Sequence, residues 1–107
     1  MKKWDNNNTR DLMKTIIKLK TADEAKRFFR DLLTEEELME FGNRWKAARL
    51  LARGVSYTKI EDATRLSSAT IARVSRWLNR GMDGYKLMLN RVANHHHNSS
   101  PAGKGLS

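Results

Sequence analysis

Apolar residues recur every three or four positions along most of this chain, and each recurrence stops at a polar or glycine-containing break. That period belongs to helices with one buried side, and no stretch alternates as a strand would, so the fold class expected is all-α with about six helices. The first helix is expected from about Thr9 to Lys20, burying Leu12, Met13, Ile16 and Leu19. A second starts at Thr21, where the hydroxyl can cap backbone amides and Glu24, three residues on, can close a capping box; Ala25, Phe28, Phe29 and Leu32 follow. Thr34 and Glu37 repeat the device at the head of a long third helix carrying Leu38, Phe41, Trp45, Ala48 and Leu51. Gly54 should end that helix. Its length, near 30 Å at about 1.5 Å per residue, exceeds what so small a monomer needs and suggests a dimer spine. Gly42 lies inside it, where glycine costs about 1 kcal/mol relative to alanine, so either a bend or a close approach is expected there, with close approach by a second subunit preferred.

The next segment, SYTKIEDATRLSSATIARVSRWL from Ser56 to Leu78, reads as a short helix, a tight turn and a second helix. Ile60, Ala63, Leu66, Ile71, Val74 and Leu78 are spaced to bury one side of both. Ser68, Ala69, Thr70, Ala72, Arg73 and Arg76 then face outward. Short side chains at a helix start let the backbone approach the floor of a major groove, and arginines reach guanine edges or phosphates, so double-stranded DNA is the expected partner. The turn usually carries glycine in a left-handed conformation, and here that place falls on Arg65, as a tolerated strain or as a phosphate contact. Beyond the hairpin, Gly81 is expected as a stop and Asp83 as the cap of a last helix through Leu87, Met88, Leu89 and Val92. Residues 1–8 are expected to be a flexible N-terminus, 9–92 a single DNA-binding domain, and 93–107 a disordered tail, being small, polar and aperiodic.

Composition sharpens the choice of partner. Among 107 residues, 21 are lysine or arginine and 12 acidic, a formal net charge of +9 that suits a polyanion. The excess is spread over the predicted helices, which points to a folded basic face instead of a basic arm. With no cysteine there is no disulfide framework, and the chain suits a reducing cytoplasm. No apolar run approaches the roughly 20 residues of a bilayer span, and the N-terminus lacks a signal-peptide pattern. Leu12, Met13, Ile16, Ile17 and Leu19 fit a packed helix better than a membrane-surface one. An enzyme is not expected: the three histidines, His95, His96 and His97, stand together in the expected tail, and no phosphate loop, nucleophile or spaced metal-ligand set accompanies them. No cofactor and no metal site is assigned.

Two stretches carry a family resemblance: LTEEELMEFGNRWKAARLLARGVS and ATRLSSATIARVSRWL. Leu33-Thr34 at a helix start, Gly42 to Arg44, Leu50 to Gly54 and Ala69 to Arg73 make the chain similar to the Trp repressor superfamily, in particular its YerC/YecD-like branch, over roughly Asp23 to Val92. The resemblance implies a homodimer with interlaced N-terminal and central helices, two reading heads and a palindromic operator. It places Ser68, Ala69, Thr70, Ala72 and Arg73 at base edges and Tyr57, Lys59, Arg65 and Arg76 at phosphates. It also implies an effector pocket at Leu33, Thr34, Arg44 and Arg73, altered by Val74 where the repressor has glycine and by Trp77 where it has serine. Trp77 is expected to fill that cavity with its own indole, and Asp31 to repel a carboxylate. Tryptophan is therefore not the expected corepressor; the heads are either permanently set or set by another small molecule. Thr58 and Glu61 replace basic residues, so the operator must differ. The function expected is a sequence-specific transcriptional regulator, a repressor. The rival is a helical dimeric protein-interaction module that binds nucleic acid only non-specifically.

Overall fold

In a computed structural model, residues 2–99 are described, the side chains only as far as Asn94. Among the described residues six helices follow one another: α1 (Asn7–Ile16), α2 (Ala22–Leu32), α3 (Glu35–Ala52), α4 (Tyr57–Thr64), α5 (Ser68–Arg80) and α6 (Gly84–Ser99). The chain divides into two compact units, the first ending at Met39 and the second starting at Glu40.

In the first unit α1 begins earlier than its apolar pattern indicates. Asn6 is the cap: its side-chain oxygen accepts from the Thr9 N–H at 3.0 Å, and the Thr9 hydroxyl accepts from the Asn6 N–H at 3.0 Å. Thr9, expected to open the helix, is thus the inner half of the cap, and an Asp5–Arg10 ion pair at 2.9 Å straddles it. The helix stops at Ile16, short of Lys20; Leu12, Ile16 and Leu19 are half-buried and Met13 is exposed. Thr21 caps α2 through the Glu24 N–H, 3.1 Å. Glu24, however, accepts from the Lys20 N–H at 2.9 Å, one residue before the cap, so the expected box is displaced outward. The Thr34–Glu37 box is complete, with Thr34 N–H to the Glu37 carboxylate at 2.9 Å and Glu37 N–H to the Thr34 hydroxyl at 3.1 Å. Neither α1 nor α2 buries a residue fully, although each carries an apolar stripe.

The second unit holds the core. Ala47, Ala48, Ile60, Ile71 and Val74 form one buried cluster, with Trp45, Leu50, Leu51, Val55, Leu66 and Tyr85 packed around it. Two adjacent alanines on α3 remove side-chain bulk where the hairpin packs, which accounts for their complete burial. The end of α3 is a Schellman turn: Gly54 takes φ +79°, its N–H donates to Leu51 (3.0 Å), and the Val55 N–H donates to Leu50 (3.1 Å). Val55 then tucks its side chain against the cluster. Gly42 shows no close neighbour in the single chain, since a Cβ there would meet nothing within 4 Å. Gly81 is different, because a Cβ at that position would fall on the Trp77 carbonyl oxygen. Asp83 stands just before α6 with φ 64°, and its carbonyl accepts from the Leu87 N–H at 2.8 Å. The backbone of α6 passes the expected end at Val92 and continues to Ser99, no proline or glycine interrupting residues 93–99. The rest of the expected tail, 100–107, and the histidine side chains lie outside the described residues. No described helix is long and apolar enough to cross a membrane.

Candidate nucleic-acid interface

The hairpin of α4 and α5 is held from within by a residue the apolar pattern misplaces. Ala63, expected inside, is exposed, whereas Thr64 is buried at 2%. Thr64 follows Ile60 by four residues and so lies over it on the inner face. Its hydroxyl donates to the Ile60 carbonyl at 2.7 Å and accepts from the Leu66 N–H at 3.2 Å, which satisfies the polar atom and fixes the start of the turn. Arg65 closes α4 in the left-handed region, φ 63° and ψ 11°, its N–H donating to the Glu61 carbonyl at 2.7 Å. A residue with a Cβ pays about 1–2 kcal/mol for that conformation, and the exposed guanidinium projects from the corner between the helices.

Ser67 caps α5. Its hydroxyl accepts from the Thr70 N–H at 3.1 Å and donates to the Thr70 hydroxyl at 3.0 Å. Thr70 is consequently half-buried, but its own hydroxyl proton remains available to an acceptor outside. Ile71, Val74 and Leu78 face the core. Ser68, Ala69, Ala72, Arg73 and Arg76 are exposed on the opposite side, joined by Trp77 and Arg80. No acidic residue occurs on α5. Tyr57 and Lys59 are exposed in the first turn of α4, so all nine residues expected to meet DNA have outward surface within one unit. Glu61 and Asp62 border an open hollow with Arg65, setting two carboxylates beside that guanidinium.

The expected effector residues are less unified. Leu33 and Thr34 belong to the first unit, at an open hollow of about 500 Å³ formed by residues 30–36. There the Leu33 carbonyl accepts from Arg30 and the Thr34 hydroxyl is engaged by the cap. In the second unit Arg44 pairs with the Glu40 carboxylate one turn earlier. Val74 is 3% exposed, so its side chain completes the core. Trp77, expected at the same pocket, is 51% exposed. The aromatic contact that sequence reasoning did not find is Trp45 on Tyr85, stacked at 6.4 Å and 17°. These rings border a hollow of about 280 Å³ with Phe41 and Arg44. Burial pushes the Tyr85 hydroxyl above its ordinary pKa, and the nearby Arg44 charge opposes part of that rise.

The sequence model for the Trp repressor protein matches residues 7–93, a span that takes in α1 to α5 and most of α6. The chain belongs to the Trp repressor family. YerC of Bacillus subtilis, an uncharacterised protein, is 46% identical over 81 residues, covering 76% of this chain and 78% of YerC. Among solved structures, a TrpR-like protein from Eubacterium eligens superposes with a TM-score of 0.81 at 36% identity, over 85% of this chain and 94% of that one. A candidate Trp repressor from Staphylococcus aureus gives 0.80 at 33% identity, over 85% and 91%. The Trp repressor-like architecture thus extends over nearly the whole helical body, including the hairpin.

Proposed function

We propose that this Trp repressor family member is a sequence-specific double-stranded-DNA-binding transcriptional regulator, a repressor, that acts as a homodimer through α4 and α5. One observation carries the reading: α5 buries Ile71, Val74 and Leu78 while exposing a small, hydroxylic and arginine-rich face behind a tight corner. Such a face enters a major groove with Ser68, Ala69, Thr70, Ala72 and Arg73 at base edges. Tyr57, Lys59, Arg65 and Arg76 take phosphates and set its register. Dimerisation is supported by α1 and α2, whose apolar stripes bury no residue completely in a single chain. Two heads related by a two-fold axis and spaced about 34–36 Å apart require a palindromic operator.

Tryptophan is not the effector in this reading. Val74 occupies the core with a branched side chain where the corepressor would need a glycine, and Arg44 is already paired with Glu40. Selection from random-sequence duplexes with the purified protein, at two salt concentrations, tests both statements. A two-fold-symmetric motif that persists at moderate salt, unchanged by added L-tryptophan, is expected. Enrichment of no motif would leave only charge-driven binding and refute the regulator.

A further inference from the structure

Trp77 is not among the DNA contacts proposed above. Of the other large exposed apolar side chains of the second unit, Tyr57 stands on α4 and already belongs to the proposed phosphate contacts, while Phe41, Leu87, Met88, Val92 and Met82 lie on α3 and α6 or in the link between α5 and α6. Trp77 instead stands on α5, four residues after Arg73 and eight after Ala69, so the three lie one above another along the same side of the helix. Arg73 one turn before it and Arg80 one turn after it share that side, both exposed, with Arg76 exposed beside it, and no acidic residue occurs on the helix. An indole that is half in solvent on a helix side shared with Arg73 and Arg80 is poorly placed for another apolar surface, because covering it would also strip water from those charges. A polyanion reverses that penalty. The indole has an apolar plane to lay against deoxyribose and one N–H donor, which accepts nothing and suits a phosphate oxygen.

We propose that Trp77 is a DNA-backbone contact: its Nε1–H donates to a phosphate at the edge of the groove that α5 enters, while its ring packs on the adjoining sugar. This rests on the DNA-binding reading above and adds a neutral contact to its cationic ones. The contact has a signature of its own. Removing an arginine from a phosphate lowers affinity and also flattens the salt dependence by nearly one counterion, whereas removing a neutral donor lowers affinity at unchanged slope.

The test measures binding of the full chain to a duplex recovered by the selection and to a random-sequence duplex of equal length, across a salt series. Trp77→Phe, which keeps the ring and loses the N–H, is expected to weaken both by about tenfold. Trp77→Ala is expected to weaken both by about 30-fold or more, since the ring is lost as well. In both variants the salt slope matches the wild type, whereas in Arg76→Ala it falls by about one. Equal helicity and equal molar mass of the variants show that the frame is intact. Unchanged affinity of Trp77→Phe and Trp77→Ala would overturn the inference while leaving the regulator standing. Dissociation of Trp77→Ala into single chains would also overturn it, since the indole would then be covered by a second copy. Failure of the wild-type protein to bind any duplex would remove both readings together.

Discussion

Arg65 and Thr64 sit side by side at the corner of the hairpin and settle different problems. Arg65 holds a left-handed backbone that glycine adopts without cost, so Arg65→Gly should stabilise the protein by about 0.5–1 kcal/mol, the relief of strain being partly offset by the freer unfolded chain. The same change removes an exposed guanidinium. DNA affinity should therefore fall and the salt slope should drop by about 0.9, so a urea melt and a salt titration are expected to move in opposite senses. Thr64 gives the complementary case. Thr64→Val leaves the Leu66 N–H without its partner and should cost about 1–3 kcal/mol, whereas Thr64→Ser keeps both hydrogen bonds and should cost about 1 kcal/mol for the lost methyl group. Arg65 was legible from the sequence, because the hairpin spacing puts one residue at the left-handed position. Thr64 was not: an alanine one place earlier fits the apolar period better, and only the backbone partners of the hydroxyl make threonine the inner residue.

At the scale of elements, the signals that read correctly are local ones. The third helix was legible from a complete Thr34–Glu37 box at one end and Gly54 at the other, both contained in a few consecutive residues. Where the boundary depended on a competition between neighbours, as between Asn6 and Thr9 at the head of α1, the apolar pattern pointed to the wrong partner. The Trp45–Tyr85 stack could not be read at all, since it joins residues forty positions apart. That stack predicts a pH effect. Burial raises the Tyr85 pKa in the folded chain, so the unfolded chain releases its proton first as pH climbs. Stability should be insensitive to this group below about pH 10 and should fall as pH rises from there towards the folded-state value. Alkaline urea melts are expected to show this decline in the wild type and a shallower one in Tyr85→Phe.

For the whole molecule, the distribution of burial bears on the proposed homodimer. Among the described residues the buried apolar core lies in the second unit, while Met13, Leu32 and Met39 on the helices of the first and Ile17 at the end of α1 stay exposed. Gly42 gives this a direct readout. In a single chain its added Cβ would meet nothing, so Gly42→Ala should raise stability by about 1 kcal/mol through helix propensity alone. If a second chain packs closely there, as proposed for the homodimer, the methyl group collides instead and dimer affinity falls. Sedimentation equilibrium of the wild type is expected at twice 12.4 kDa, and Gly42→Ala is expected to shift it towards single chains while each chain keeps its helicity. Salt then separates the two kinds of contact. A dimer closed by apolar helix faces should persist from 50 to 200 mM salt, whereas DNA affinity, with about six to ten phosphates engaged, should drop by roughly three to five decades over that range. A mass that halved along with the DNA affinity would mean that charge, not apolar burial, joins the subunits, and the spacing of the two α5 helices would lose the rigid frame a palindromic operator requires.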